Sequence, residues 1–89
     1  MSADAAELKM LGERIARVRQ TYGEDINLPD LAPNLFAVLL GASSSIYESY
    51  ELGEREPSVD FLIALRKKTG IGLDWLLDPS QPGRGRQSV

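Results

Sequence analysis

The stretch Leu31-Ala-Pro-Asn-Leu-Phe-Ala-Val-Leu-Leu40-Gly41-Ala-Ser-Ser-Ser-Ile-Tyr-Glu-Ser-Tyr-Glu-Leu52 reads as two short helices joined by a tight turn. Pro33 is tolerated in a first helical turn, where its missing N–H has no bond to lose. Asp30 stands just before it and is placed to cap. The helix predicted from about residue 31 runs to Leu40, and Gly41 breaks it. Ser43, Ser44 and Ser45 then supply capping hydroxyls for a helix reaching about Glu51 or Leu52, where Gly53 ends it. Arg55-Glu56-Pro57 is a connector.

Outward from this pair, Leu8, Leu11, Ile15, Val18 and Tyr22 recur at helical steps and predict an amphipathic helix over residues 5–22. Asp4 and Glu7 fit a capping box, and Gly23 is placed as a stop. Residues 23–30 read as a loop, because Pro29 disfavours helix at Leu28. On the other side, Ser58 caps a helix over about 59–69. Phe61, Leu62 and Leu65 form its apolar face, and Arg66, Lys67 and Lys68 lie in its last turn, where cations suit the helix dipole. Gly70 and Gly72 separate it from a short fifth helix expected over 73–77, with Leu73, Trp75, Leu76 and Leu77, which Pro79 stops. Residues 79–89 read as a disordered tail. No strand pattern or repeat appears. The expected fold is all-α, five helices in one domain over residues 1–78 with a lengthened loop at 23–30, followed by the tail 79–89. The pair 31–40 and 43–52 has the length and turn of a helix-turn-helix.

Composition narrows the function classes. The chain has 89 residues, 43% of them apolar and 26% charged, enough for one small domain with a thin core. It has no cysteine and no histidine. Disulfides, thiol nucleophiles, thiolate zinc sites and the commonest general base and metal ligand are therefore absent. No apolar run approaches the ~20 residues of a membrane span, and the N-terminus lacks a signal-peptide pattern. Neither an enzyme, a metal site nor a cofactor is expected, and a cytoplasmic location is. The net charge is −3, unevenly spread. Residues 24–60 hold eight acids and one base, Arg55, for a net of −7. The other bases gather at Lys9, Arg14, Arg17 and Arg19, at Arg66, Lys67 and Lys68, and at Arg84 and Arg86.

Four groups of residues, in order, carry a resemblance to a known family. They are Gly12-Glu-Arg-Ile-Ala-Arg-Val-Arg19; Leu31, Ala37, Leu40 and Gly41; Tyr50-Glu-Leu-Gly-Glu-Arg-Glu-Pro-Ser58; and Leu73-Asp-Trp-Leu-Leu77. From about Leu11 to Leu77 the chain resembles the lambda-repressor-like helix-turn-helix family of Cro and phage-repressor type. That resemblance implies a dimer on an operator of double-stranded DNA, with the third helix in the major groove and the start of the second crossing the backbone. Matched by position, Ser44, Ser45 and Ser49 would read bases, with Ser43, Ile46 and Glu48 beside them. Backbone contacts would fall near Pro33, Leu52, Glu54 and Arg55. Tyr47 and Tyr50 would face the core. Arg19 and Glu51 match the family's internal ion pair, a structural role.

The chain departs from that pattern in its chemistry. Serine gives single contacts where the family commonly places Gln, Arg, Asn or Lys, whose side chains bind base edges in pairs. The three serines are also good helix caps. Pro33 offers a phosphate neither a side-chain donor nor an N–H. Glu54 repels phosphate, and Glu48 opposes the backbone field while able to accept from cytosine. Only Arg55 is a favourable phosphate contact. The tail arginines Arg84 and Arg86 fit a solvated terminus or a minor-groove arm. Leu35, Val38 and Leu39 fall where the family is usually charged, so they form a partner or dimer patch unless the long loop, with Ile26 and Leu28, folds back over them. Two functions stay open. One is a small dimeric transcriptional regulator, phage- or prophage-borne or bacterial. The other is a helix-turn-helix domain repurposed for protein contact, adaptor or antirepressor-like, through the second helix, with weak or no DNA binding.

Overall fold

A computed structural model describes residues 5–72. Among them the chain is all-helical, with four α-helices: α1 (Ala5–Asp25), α2 (Pro33–Leu40), α3 (Ser44–Glu51) and α4 (Val59–Thr69). Asp4 of the expected capping box, the expected fifth helix at 73–77 and the expected tail lie outside the described residues. No helix among the described residues is long and apolar enough to cross a membrane.

The four helices close on one core. Ile15 and Val18 of α1, Phe36 and Ala37 of α2, Tyr47 and Tyr50 of α3 and Phe61 and Leu65 of α4 are buried, together with Leu31 and Ile71. Leu11, Tyr22, Leu40 and Leu62 pack against them, so the periodic faces expected for α1 and α4 are the inward faces. A string of rings runs through the core. Tyr22 meets Phe36 with centroids 5.6 Å apart, and Phe36 meets Tyr47 edge-on at 5.6 Å. Phe61 lies 5.8 Å from Tyr47 and 4.6 Å from Tyr50. Such tilted pairs each add about 0.5–1.5 kcal/mol beyond the area they bury.

Local chemistry sets most helix ends. Gly41, at φ +75°, ends α2, and Ala42 N–H bonds back to the Ala37 carbonyl, the left-handed termination that glycine permits. Ser43 and Ser58 cap α3 and α4 by accepting from the Ile46 and Phe61 N–H groups. Two ends correct the sequence reading. Gly23 does not stop α1, which runs on to Asp25. The left-handed residue is Asn27, φ +66°, and Leu28 N–H bonds to the Gly23 carbonyl at 2.6 Å. Gly23 is a close-approach residue, because a Cβ there would meet the Leu28 carbonyl and lie 2.9 Å from Leu31 Cβ. The connector between α1 and α2 is therefore 26–32, shifted from the expected 23–30. Asp30 does not cap α2, which starts at Pro33 with Ala32 as an N-cap lacking a side-chain bond. Burial of Leu31 and its N–H bond to Leu28, at 3.0 Å, fix the entry instead.

At Gly12 α1 crosses the end of α3 backbone to backbone. A Cβ at Gly12 would sit 2.6 Å from the Tyr50 carbonyl oxygen and closer still to that of Glu51. Gly53 makes the reciprocal approach, with a Cβ there 2.9 Å from Lys9 Cα. Gly12→Ala would gain about 1 kcal/mol of helix propensity but force two helices apart, a cost of about 1–3 kcal/mol. The expected outcome is net destabilisation, read as a lower urea midpoint with an unchanged slope.

Candidate nucleic-acid interface

The short α3 has two unlike faces. Tyr47 and Tyr50 point into the core and are buried. Ser45, Ile46 and Glu48 point to solvent, and Ser44 and Ser49 are half-buried between the two faces. The serine hydroxyls are already engaged. Ser43 Oγ accepts from Ile46 N–H and lies 3.2 Å from Ser45 Oγ. Ser49 Oγ donates to the Ile46 carbonyl at 2.6 Å and accepts from Arg55 Nε at 3.3 Å. The expected phosphate contact, Arg55, is exposed and lies against the expected base reader Ser49. Ser43, Ser45, Ile46, Ser49 and Arg55, all expected at the DNA surface, are thus linked to one another by hydrogen bonds. Exposed Glu48 and Glu54 flank Arg55, so the outward surface of α3 carries more negative than positive charge.

At the back of α3 sits a charged network. Glu51 accepts from Arg19 through Nε at 2.8 Å and a terminal nitrogen at 3.1 Å, a two-pronged pairing with both side chains mostly buried. Tyr47 O–H donates to the same carboxylate. The other terminal nitrogen of Arg19 donates to the Leu31 carbonyl at 2.7 Å. One guanidinium thus ties α1 to α3 and to the connector before α2. Its hydrogen bonds to Glu51 raise the Arg19 pKa against a smaller desolvation cost. Burial first, and the bond to Glu51 second, push the Tyr47 phenol far above the usual tyrosine range. The bonds from Tyr47 and to Leu31 escaped the sequence reading. The i, i+4 spacing of Tyr47 and Glu51 on one helix was the available signal for the first.

At the start of α2, Pro33 is half-buried and contributes no N–H. The helix has no side-chain cap there, so Asn34 and Leu35 follow with amides that no capping oxygen covers. Leu52, the other expected backbone neighbour, is 59% exposed. Along α2, Leu35, Val38 and Leu39 are exposed. The connector does not cover them, and its own Ile26 and Leu28 are exposed as well. No cluster of acids that could hold a metal ion occurs among the described residues.

Removing one partner of this network strands the other. Arg19→Leu leaves the Glu51 carboxylate without its cation and is expected to cost about 3 kcal/mol or more, read by urea unfolding. Tyr47 adds a pH dependence whose sign follows from its raised pKa. Its contribution is complete below the unfolded value of about 10 and is lost as pH rises from there. Wild type is therefore expected to lose stability above about pH 10, and Tyr47→Phe to lose less over the same range.

Comparison with protein-family models, with curated proteins and with solved structures found no match.

Proposed function

We propose that this chain is a small sequence-specific DNA-binding transcriptional regulator of the lambda-repressor-like helix-turn-helix type, acting as a dimer with α3 in the major groove. The observation that carries the reading is the two-faced α3. Its polar side carries exposed Ser45 and Glu48 and half-buried Ser49, with exposed Arg55 laid against Ser49. Its other side is held rigid by Tyr47, Tyr50 and the Arg19–Glu51 pair. A helix about 10–12 Å across with its side chains fits the roughly 12 Å width of the major groove. The uncapped start of α2 suits a phosphate oxygen even without a side-chain donor.

Recognition on this surface rests on few contacts. Ser44, Ser45 and Ser49 touch base edges, Glu48 favours cytosine, and Arg55 meets phosphate. The dimer acts by occupying a promoter site whose half-sites lie about one helical turn apart.

A second reading has its own observation. Exposed Leu35, Val38 and Leu39 favour a domain whose α2 contacts another protein, adaptor or antirepressor-like, with weak or no DNA binding.

Fluorescence anisotropy on duplexes from upstream of the gene, titrated across salt, separates the two. The DNA reading predicts selective binding with a log–log slope of about −2 per dimer, from two arginines at about −0.9 each. Arg55→Ala weakens all duplexes alike and flattens that slope, whereas Ser45→Ala changes the ranking of operator variants and leaves the slope alone. No binding near 50 mM salt, or the same site preference in both variants, contradicts the assignment.

A further inference from the structure

The connector between α1 and α2 leaves an open concavity of about 350 Å³ walled by Leu28, Pro29, Leu31 and Leu35. From Leu35 the apolar surface continues at helical spacing to Val38 and Leu39. Leu28, Leu35, Val38 and Leu39 are 44, 44, 66 and 37% exposed. Scattered exposed apolar residues are ordinary, but a contiguous set of this kind marks an interface.

Along the connector, this face is bracketed by acids. Asp30 lines the concavity, and exposed Glu24 and Asp25 close α1 just before it. The last turn of α1 has no basic residue, so the negative end of its dipole adds to the two carboxylates. No lysine or arginine occurs between Arg19 and Arg55, and Arg19 is turned inward onto Glu51 and the Leu31 carbonyl.

We infer that this face docks a basic amphipathic segment of a partner protein. Its apolar side chains fill the concavity and follow Leu35, Val38 and Leu39, and its lysines or arginines lie over Glu24, Asp25 and Asp30. Charge selects this occupant over a second copy. Two-fold pairing of the same face gathers both acidic rims into one interface, where like charges repel. The inference goes beyond the DNA reading and holds whether or not α3 binds DNA.

The test uses the full chain, isotope-labelled for NMR, and two labelled synthetic helices. One is an amphipathic leucine–lysine peptide, and the other has glutamate for every lysine. The lysine peptide is expected to bind saturably and to shift the amides of residues 27–39. The double variant Leu35→Asn, Val38→Asn removes exposed apolar groups without adding charge, and is expected to lower affinity by roughly tenfold or more. Asp25→Lys with Asp30→Lys is expected to weaken binding several-fold at low salt and to remove most of its salt dependence. All four positions are exposed, and a thermal melt of each variant checks that the fold persists. Equal binding of the glutamate peptide, undiminished binding by the asparagine variant, or shifts confined to α3 would each overturn the inference. So would sedimentation showing a peptide-free dimer that the asparagine variant dissociates, since the occupant would then be a second copy.

Discussion

The Glu51 carboxylate is the point on which this small fold turns. It lies at the end of α3, takes two hydrogen bonds from Arg19 of α1 and a third from Tyr47 one turn earlier. Arg19 spends its remaining arm on the Leu31 carbonyl, at the entry to α2. Three segments are thereby fixed by one ion pair, against a core that comprises ten buried apolar residues among the described ones. The pair also needs the helices to be close, which is why Gly12 and Gly53 sit where α1 passes the end of α3. Burial makes the arrangement costly to break and sets its angles, and so the direction in which α3 faces outward.

That outward face explains both the attraction and the weakness of a DNA-binding reading. A rigid short helix with a polar edge, an adjacent arginine and an uncapped neighbouring helix start is a sound geometry for a groove. The side chains on it are sparse readers, and their hydroxyls are partly committed within the protein. Specificity from such a surface comes from position and DNA shape as much as from base contacts. The apolar face on α2 and the acidic connector are a separate resource, and a protein that used both would join a DNA site to a second, basic partner.

The sequence made the helices legible wherever a cap or a periodic face was strong. Ser43, Ser58 and Gly41 act in the structure as their residue types and spacing predict, and Tyr47 and Tyr50, which the resemblance places at the core, are buried. The Arg19–Glu51 pair came from the family resemblance and is present. Gly23 and Asp30 were misread for one reason. Local signals treated them as helix punctuation, whereas the long connector folds back and makes Gly23 a packing contact, with Asn27 taking the left-handed turn. No local pattern reports a backbone passing overhead. The same tertiary information decides the exposure of Leu35, Val38 and Leu39, so covered and uncovered readings looked alike in sequence. Among the candidate DNA-contact residues, the bond joining Arg55 to Ser49 and the inward turn of Ser49 O–H were not legible.

The most direct measurement is an amide chemical-shift map of the full chain titrated with the duplex from upstream of its gene at low salt. The account predicts saturable shifts concentrated on Ser43–Ser49, on Arg55 and at the first amides of α2, with Leu35→Asn and Val38→Asn leaving that map unchanged. Shifts absent from α3, or concentrated along Leu28, Leu35 and Val38, would contradict it and leave protein contact as the function of the domain.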